Sequence, residues 1–399
     1  MFLFRYAPVV KKYLCINIFN KKMRIGIVCY PTFGGSGVVA TELGMALADK
    51  GHEVHFVTYN LPVRLDFISH KLHFHEVLME EYQLFQYQPY ELALSTKLVE
   101  VVSKYKLEIL HVHYAIPHAY AAYMAKMMLK EKGIDIKVVT TLHGTDITLV
   151  GSHPSYKTAV EFSINNSDVV TSVSNSLKQD TLRLFSITNE IKVVHNFIDT
   201  EKYDRESQNE CQRIAVAKPE ERILTHISNF RPVKRIEDVV KIFYNVQKQI
   251  PAKLLMVGEG PEKRNAELLV KKLGIEDKVI FLGNSNEISK ILCYTDVFLL
   301  PSESESFGLA ALEAMAASTA VISTNTGGLS EVNIQGKTGY LSNLGDCDKM
   351  AMNAISILKD DETLMKFKKA AKEHTKQFCL DNILPVYENI YNAALLKIH

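Results

Sequence analysis

The sequence has almost no excess charge: 46 Lys and Arg against 45 Asp and Glu leave +1 over 399 residues. That balance provides no field for nucleic acid or an anionic membrane surface, so any anion must be held by local groups. Cysteine is sparse and scattered. Cys15, Cys29, Cys211, Cys293, Cys347 and Cys379 form no Cys-x2-Cys pair, which predicts reduced thiols in a cytoplasmic setting. Metal-ligand spacing is equally thin. His73/His75 and His111/His113 each share one face of a strand, but no neighbouring carboxylate or Cys completes a set, so no metal is expected. Long apolar runs are missing too. Residues 1–22 mix Arg5, Lys11, Lys12, Lys21 and Lys22 with short apolar stretches, a poor signal peptide and too short a span for a bilayer. They read as an N-terminal extension, either a gene-start artefact or a loosely ordered arm, before a domain that starts at Met23. Two nucleotide-binding signatures are also absent. The glycines at 34, 35 and 37 do not spell Gly-x-Gly-x-x-Gly, and no Gly-Lys-Ser/Thr follows, which argues against a dehydrogenase and a P-loop ATPase.

What is present is alternation. Short apolar strands are predicted at 24–30, 53–58, 72–77, 109–113, 138–142, 168–173 and 191–195, with helical stretches between most of them. A second series runs through 222–228, 253–257, 278–282, 296–300, 320–324 and 339–342. This pattern predicts two α/β, doubly wound parallel sheets, and the length allows two domains. The segment 200–221 is polar and reads as a linker with a surface helix. Ligands of such sheets bind at the carboxyl ends of the strands. In the first series those ends carry Gly34-Gly35-Ser36-Gly37, His111-Val112-His113-Tyr114, the run Thr140 to Asp146, Ser172 to Asn175, and His195-Asn196. The glycine loop between strand and helix suits an anion, although a tight turn that only packs helix on strand has the same composition.

The second series holds the densest chemistry. After Asp296 to Pro301 comes Ser302-Glu303-Ser304-Glu305-Ser306-Phe307-Gly308-Leu309, with Glu313 further on. A helix beginning near Phe307 would turn the amides of Ser306 to Leu309 outward, toward a negative or hydroxyl-rich ligand. Glu305 and Glu313 would lie on nearly the same face. A dipole-favouring acid and an exposed Glu would give the same spacing. Arg231 and Lys234, three residues apart across a turn that opens a helix, suit a diphosphate, or form only a solvated basic turn.

Glu305-x7-Glu313 enclosing Ser-Phe-Gly-Leu resembles the donor signature of the retaining glycosyltransferases of family 4, and Arg231-x-x-Lys234 resembles that family's diphosphate pair. The resemblance implies the GT-B fold, two Rossmann-like domains facing a cleft. Residues 23–200 would be the acceptor domain and 201–375 the nucleotide-sugar domain, with 376–399 a helix packing back toward the first. It implies that Glu305 and the amides of Ser306, Phe307, Gly308 and Leu309 meet the donor sugar. Glu313 would hold the ribose, Arg231 and Lys234 the diphosphate, and Gly283, with the loop 257–261, the base side. His143, Glu305, Arg231 and Lys234 would be catalytic, Asp146 would orient its loop, and Gly35 would face the donor. The runs around Gly34 to Gly37, His111 to Ala119 and Thr140 to Thr148 resemble the branch that glycosylates L-malate at the start of bacillithiol biosynthesis. The substrates implied are UDP-N-acetylglucosamine and L-malate, with no cofactor and no stable membrane association; homo-oligomerisation is left open. Ser36, Gly37, Arg64, Tyr90 and Thr141 are the candidates for the malate pocket. Rival readings are a family 4 enzyme acting on a lipid or polysaccharide, a UDP-N-acetylglucosamine 2-epimerase, and a non-catalytic sugar-nucleotide sensor.

Overall fold

The computed structural model describes residues 21–32, 35–65, 70–79, 87–204 and 213–396. The extension up to residue 20, Gly34, Cys15 and Cys211 lie outside them. The chain divides into unit 1, residues 1–195 with 381–399, and unit 2, residues 196–380, rather than at 200/201 and 375/376.

In unit 1 the order is β1 (Arg24–Val28), α1 (Gly35–Asp49), β2 (Glu53–Thr58), β3 (Leu72–Glu76), α2 (Tyr90–Tyr105), β4 (Ile109–His113), α3 (Tyr120–Glu131), β5 (Lys137–Leu142), α4 (Pro154–Asn165), β6 (Val169–Ser172), α5 (Asn175–Leu184) and β7 (Ile191–Val193). The strands form one parallel sheet in the order β3-β2-β1-β4-β5-β6-β7. Strands covered on both faces need near-continuous apolar runs; β1 has one after Arg24, whereas β4 interrupts its run with the buried His111 and His113.

Unit 2 repeats the plan with β8 (Arg222–Ile227), α6 (Ile236–Gln247), β9 (Ala252–Val257), α7 (Lys263–Leu273), β10 (Val279–Gly283), α8 (Ile288–Cys293), β11 (Val297–Leu300), α9 (Leu309–Ala316), β12 (Ala320–Thr324), α10 (Leu329–Val332), β13 (Gly339–Ser342), α11 (Cys347–Leu358) and α12 (Asp361–Thr375). Its strand order, β10-β9-β8-β11-β12-β13, is the dinucleotide-fold order 3-2-1-4-5-6, and the first six strands of unit 1 follow the same order. Among the described residues of 200–221 there is no α-helix, only the 3-10 turns Thr200–Tyr203 and Arg213–Ala215.

The last helix, α13 (Leu380–Leu396), belongs to unit 1 through a stripe of buried residues: Ile383, Leu384, Tyr387, Ile390, Tyr391 and Ala394. That spacing is one helical face. The Tyr391 hydroxyl is 2.8 Å from His111 Nδ1, and Glu388 is 3.0 Å from His52 Nε2. Cys29, Cys347 and Cys379 are free thiols, whereas Cys293 is disulfide-bonded, which corrects the reading of reduced cysteines throughout.

Unit 2 is pinned by a buried charge cluster. Asp296 accepts from Lys368 Nζ at 2.6 Å, Arg213 at 2.8 Å and the Ile223 amide at 2.9 Å. Burial pushes the Asp296 carboxyl up, but the two cations and the amide outweigh it and hold it below its ordinary 3.8. A depressed value contributes stability above the ordinary pKa that is lost as pH falls through the folded-state value. Asp296→Ala strands two cations, Lys368 being deeply buried, and is expected to cost about 3 kcal/mol or more in urea unfolding. Part of that difference should vanish at acid pH.

Candidate functional site

In unit 2 the strand order reverses between β8 and β11, so the loops leaving their carboxyl ends flank a switch-point crevice. The β8 loop is built on a chain of hydrogen bonds. His226 Nδ1 donates to the Leu299 carbonyl at 2.8 Å, which leaves Nε2 to accept from Ser228 Oγ at 2.8 Å. Burial pushes the His226 pKa down to about 4, which keeps it neutral. The loop after β9 packs backbone to backbone on this one. A Cβ on Gly258 would lie 1.8 Å from the Ser228 carbonyl, and Gly258 has a φ of +126°. No other residue fits there.

The two switch-point loops are then joined. The Glu303 amide donates to the Val233 carbonyl at 2.8 Å, and Lys234 Nζ meets Glu305 Oε1 at 2.5 Å, with side chains 21% and 13% exposed. Arg231 is exposed at the head of the 3-10 turn Pro232–Lys234. From β12, Thr324 Oγ1 donates to the Ser302 carbonyl at 2.6 Å and the Gly328 amide to the Glu305 carbonyl at 2.8 Å. Glu313 accepts from the Tyr203 hydroxyl at 2.8 Å. Gly283, with φ +66°, ends β10 and accepts from the Gly258 amide at 2.7 Å.

α9 begins at Leu309, two residues past Phe307, because Gly308 takes the left-handed conformation with φ +97°. Phe307 is 1% exposed and packs edge-on against Phe378, so its ring is core and only its backbone can serve a ligand. The sequence reading missed Tyr203 and the loop Thr324 to Gly328. The latter is another glycine-bearing strand-end loop and carried the same signal as those that were read.

In unit 1 the corresponding edge collects the other candidates. Ser36 Oγ lies 2.6 Å from the Tyr114 hydroxyl. Gly37 is wedged at the start of α1, where a Cβ would sit 2.5 Å from the Thr32 carbonyl. Gly35 opens the same helix and is exposed. Arg64 pairs with Glu42 of α1 at 3.0 Å. Tyr90, at the start of α2, lies edge-on to the Tyr59 and His118 rings, and its buried hydroxyl has no hydrogen-bond partner. Thr141 does not join this group. Its hydroxyl is fully buried, 2.7 Å from His111 Nε2 and 2.7 Å from Thr171 Oγ1, so it belongs to the network that seats α13.

The histidines of this edge are neutral. Burial pushes His111 and His143 down to about 3 and His118 to about 4. His143 Nε2 lies 2.8 Å from His113 Nδ1. His118 Nδ1 donates to the His113 carbonyl, and the second ring nitrogens of His113 and His118 are buried without partners. Asp146 organises the backbone around them: its carboxylate accepts from the amides of Ala115 at 2.8 Å, Gly144 at 2.9 Å and His143 at 3.2 Å. Burial raises its pKa to about 6 despite those amides.

Residues 33–202 match the family "Glycosyltransferase Family 4" and residues 207–374 match "Glycosyl transferases group 1". An N-acetyl-alpha-D-glucosaminyl L-malate synthase from Bacillus anthracis is 48% identical, over 94% of this chain and 98% of that protein. Among solved structures, a sucrose-phosphate synthase from Thermosynechococcus elongatus superposes with a TM-score of 0.77 at 21% identity, covering 93% of this chain and 99% of that one. Anabaena HepE bound to UDP and glucose gives 0.74 at 16% identity, covering 94% and 100%. At those identities the structural likeness speaks for the GT-B fold alone, while the Bacillus relative spans both units. The chain is a glycosyltransferase and belongs to family 4.

Proposed function

We propose that this enzyme transfers N-acetylglucosamine from UDP-N-acetylglucosamine to the hydroxyl of L-malate with retention at the anomeric carbon, the first step of bacillithiol biosynthesis. The observation that carries this reading is the 48% identity to the Bacillus malate synthase over 94% of the chain, which takes in the acceptor-side loops of unit 1 as well as the donor-side loops of unit 2.

The chemical difficulty is the departing diphosphate. Arg231, Lys234 and the amides at the head of α9 supply positive potential for it, the electrostatic contribution that is often the largest in such reactions. Glu305 fixes the Lys234 ammonium in advance, so little reorganisation is needed as charge develops on the leaving oxygen. Glu313, oriented by Tyr203, suits the ribose hydroxyls. In the reaction the bond from the anomeric carbon to the UDP oxygen breaks, and the malate oxygen bonds to that carbon from the same face. The malate hydroxyl proton passes to the departing phosphate. His143, being neutral, acts as a hydrogen-bonding partner for the sugar and not as a cation. Ser36, the Gly37 amide, Arg64 and Tyr90 offer donors for the two malate carboxylates. The reading includes a cytoplasmic setting, which the free thiols of Cys29, Cys347 and Cys379 suit and the disulfide at Cys293 does not.

UDP release measured with and without L-malate, followed by mass spectrometry of the product, tests the proposal. Malate-dependent release and a glucosaminyl-malate mass are expected; release indifferent to malate removes the acceptor assignment, and a trapped glycosyl-enzyme adduct removes the same-face step. Lys234→Ala and Arg231→Ala should each lower kcat by about 100- to 1,000-fold; the unfolding midpoint should hold for the exposed Arg231 and fall for Lys234, whose loss leaves Glu305 without its cation.

Asp146 makes a pH prediction with two opposite signs. Its folded-state pKa of about 6 lies above the ordinary 3.8, so the protonated carboxyl stabilises the fold below about pH 4, and that contribution is lost as pH rises through 6. The carboxylate that the three amides require predominates only above 6. kcat/KM should therefore rise through about pH 6 while this contribution to stability falls. Asp146→Asn should abolish the rising limb and shrink the change in urea midpoint between about pH 5 and pH 8.

A further inference from the structure

At the outer edge of the unit 1 sheet, β2 and β3 pair with His55 opposite His73 and Val57 opposite His75. The two-residue period puts Glu53 and His55 on one face of β2, and His73 and His75 on the matching face of β3. The sequence offered no carboxylate for the His73/His75 pair; the strand register supplies Glu53. Its Oε1 is 3.2 Å from His55 Nε2 and 3.5 Å from His73 Nε2, and the three ligand atoms all lie within 4.8 Å of one another. A four-coordinate ion with bonds of about 2.0–2.1 Å holds its ligand atoms about 3.3 Å apart, so two of the three edges of such a site are already set. The third needs only a tilt of the His73 ring, now stacked on His55 with centroids 4.4 Å apart.

The surroundings are those of a built site. The His55 side chain has no exposure, while His73 and Glu53 are 36% and 40% exposed, which leaves a way in and room for a water. The other nitrogen of His55, Nδ1, is 2.9 Å from His75 Nε2, the outer bond that fixes the ring orientation of a metal-bound histidine. Tyr105 packs against His55 and His75 at 4.6 and 5.0 Å between centroids.

We propose that Glu53, His55 and His73 form a binding site for a divalent transition-metal ion of the zinc type, with His75 as the outer partner of His55. Two imidazoles and one carboxylate suit zinc, nickel or copper, whereas magnesium and calcium take oxygen ligands. Glu53 is the first residue of β2, so the site lies at the amino end of the strand, opposite the carboxyl edge that carries Ser36 and His143. Its role is structural: the ion clasps β3, the outermost strand, to β2.

The test uses the full chain stripped with a chelator. Calorimetric titration with Zn2+ should show one saturable equivalent, Co2+ should give the visible bands of a four-coordinate ion, and Zn2+ should raise Tm. His73→Ala and Glu53→Gln, both at partly exposed positions, should each weaken Zn2+ binding at least about tenfold and erase the Tm rise, and His75→Ala should weaken it about tenfold. The metal-free melting of each variant shows that it folds. No saturable binding by the parent, or variants that bind like the parent, would overturn the site. UDP release that depends on Zn2+ would overturn its structural role.

Discussion

The Lys234–Glu305 ion pair is the constraint on which the switch-point loops of unit 2 depend. It links the loop leaving β8 to the loop leaving β11, the two strands that flank the switch point. Neither side chain is free to search, because each loop is clamped by backbone contacts before the side chains meet. A pair this enclosed gives up part of its hydration, and its Coulomb energy does little more than offset that loss. Its value lies in position. A lysine on a flexible stem would otherwise sample many rotamers, and the pairing with Glu305 orders it during folding.

Unit 1 uses the opposite strategy. Its candidate loops place a set of neutral, buried histidines behind hydroxyls and amides, with Asp146 committed to backbone amides and Arg64 paired to Glu42. Charged side chains gather at the carboxyl edge of unit 2, whereas the candidate residues of unit 1 are mostly hydroxyls, amides and neutral rings.

Much of this was legible in the sequence for a definite reason. Strand ends in a parallel sheet converge on one edge, so Arg231, Lys234 and Glu305 in unit 2, and separately Ser36 and His143 in unit 1, could be grouped by knowing only where each strand stops. What was not legible depends on direction or on register. Thr141 sits in the right strand, but its hydroxyl points at His111 and Thr171. Glu53 lies twenty residues from His73 in the chain and meets it only because β2 and β3 pair in that one register.

The first six strands of unit 1 follow the order of unit 2, so topology does not distinguish their two carboxyl edges. The difference has to lie in the loops. In unit 2 backbone packs on backbone at Gly258 and Gly327, where an added Cβ would lie 1.8 Å from the Ser228 carbonyl and 2.0 Å from the Glu305 carbonyl, with one clamped lysine beside them. In unit 1 the corresponding edge carries the packed rings of Tyr30, Tyr90, Tyr114 and His118, with Tyr30 4.6 Å from His118 and 5.3 Å from Tyr114 between centroids. The carboxyl edges thus carry the chemistry that differs between the units. The amino end of β2, remote from that edge, is left for contacts whose only task is to keep an outer strand in register.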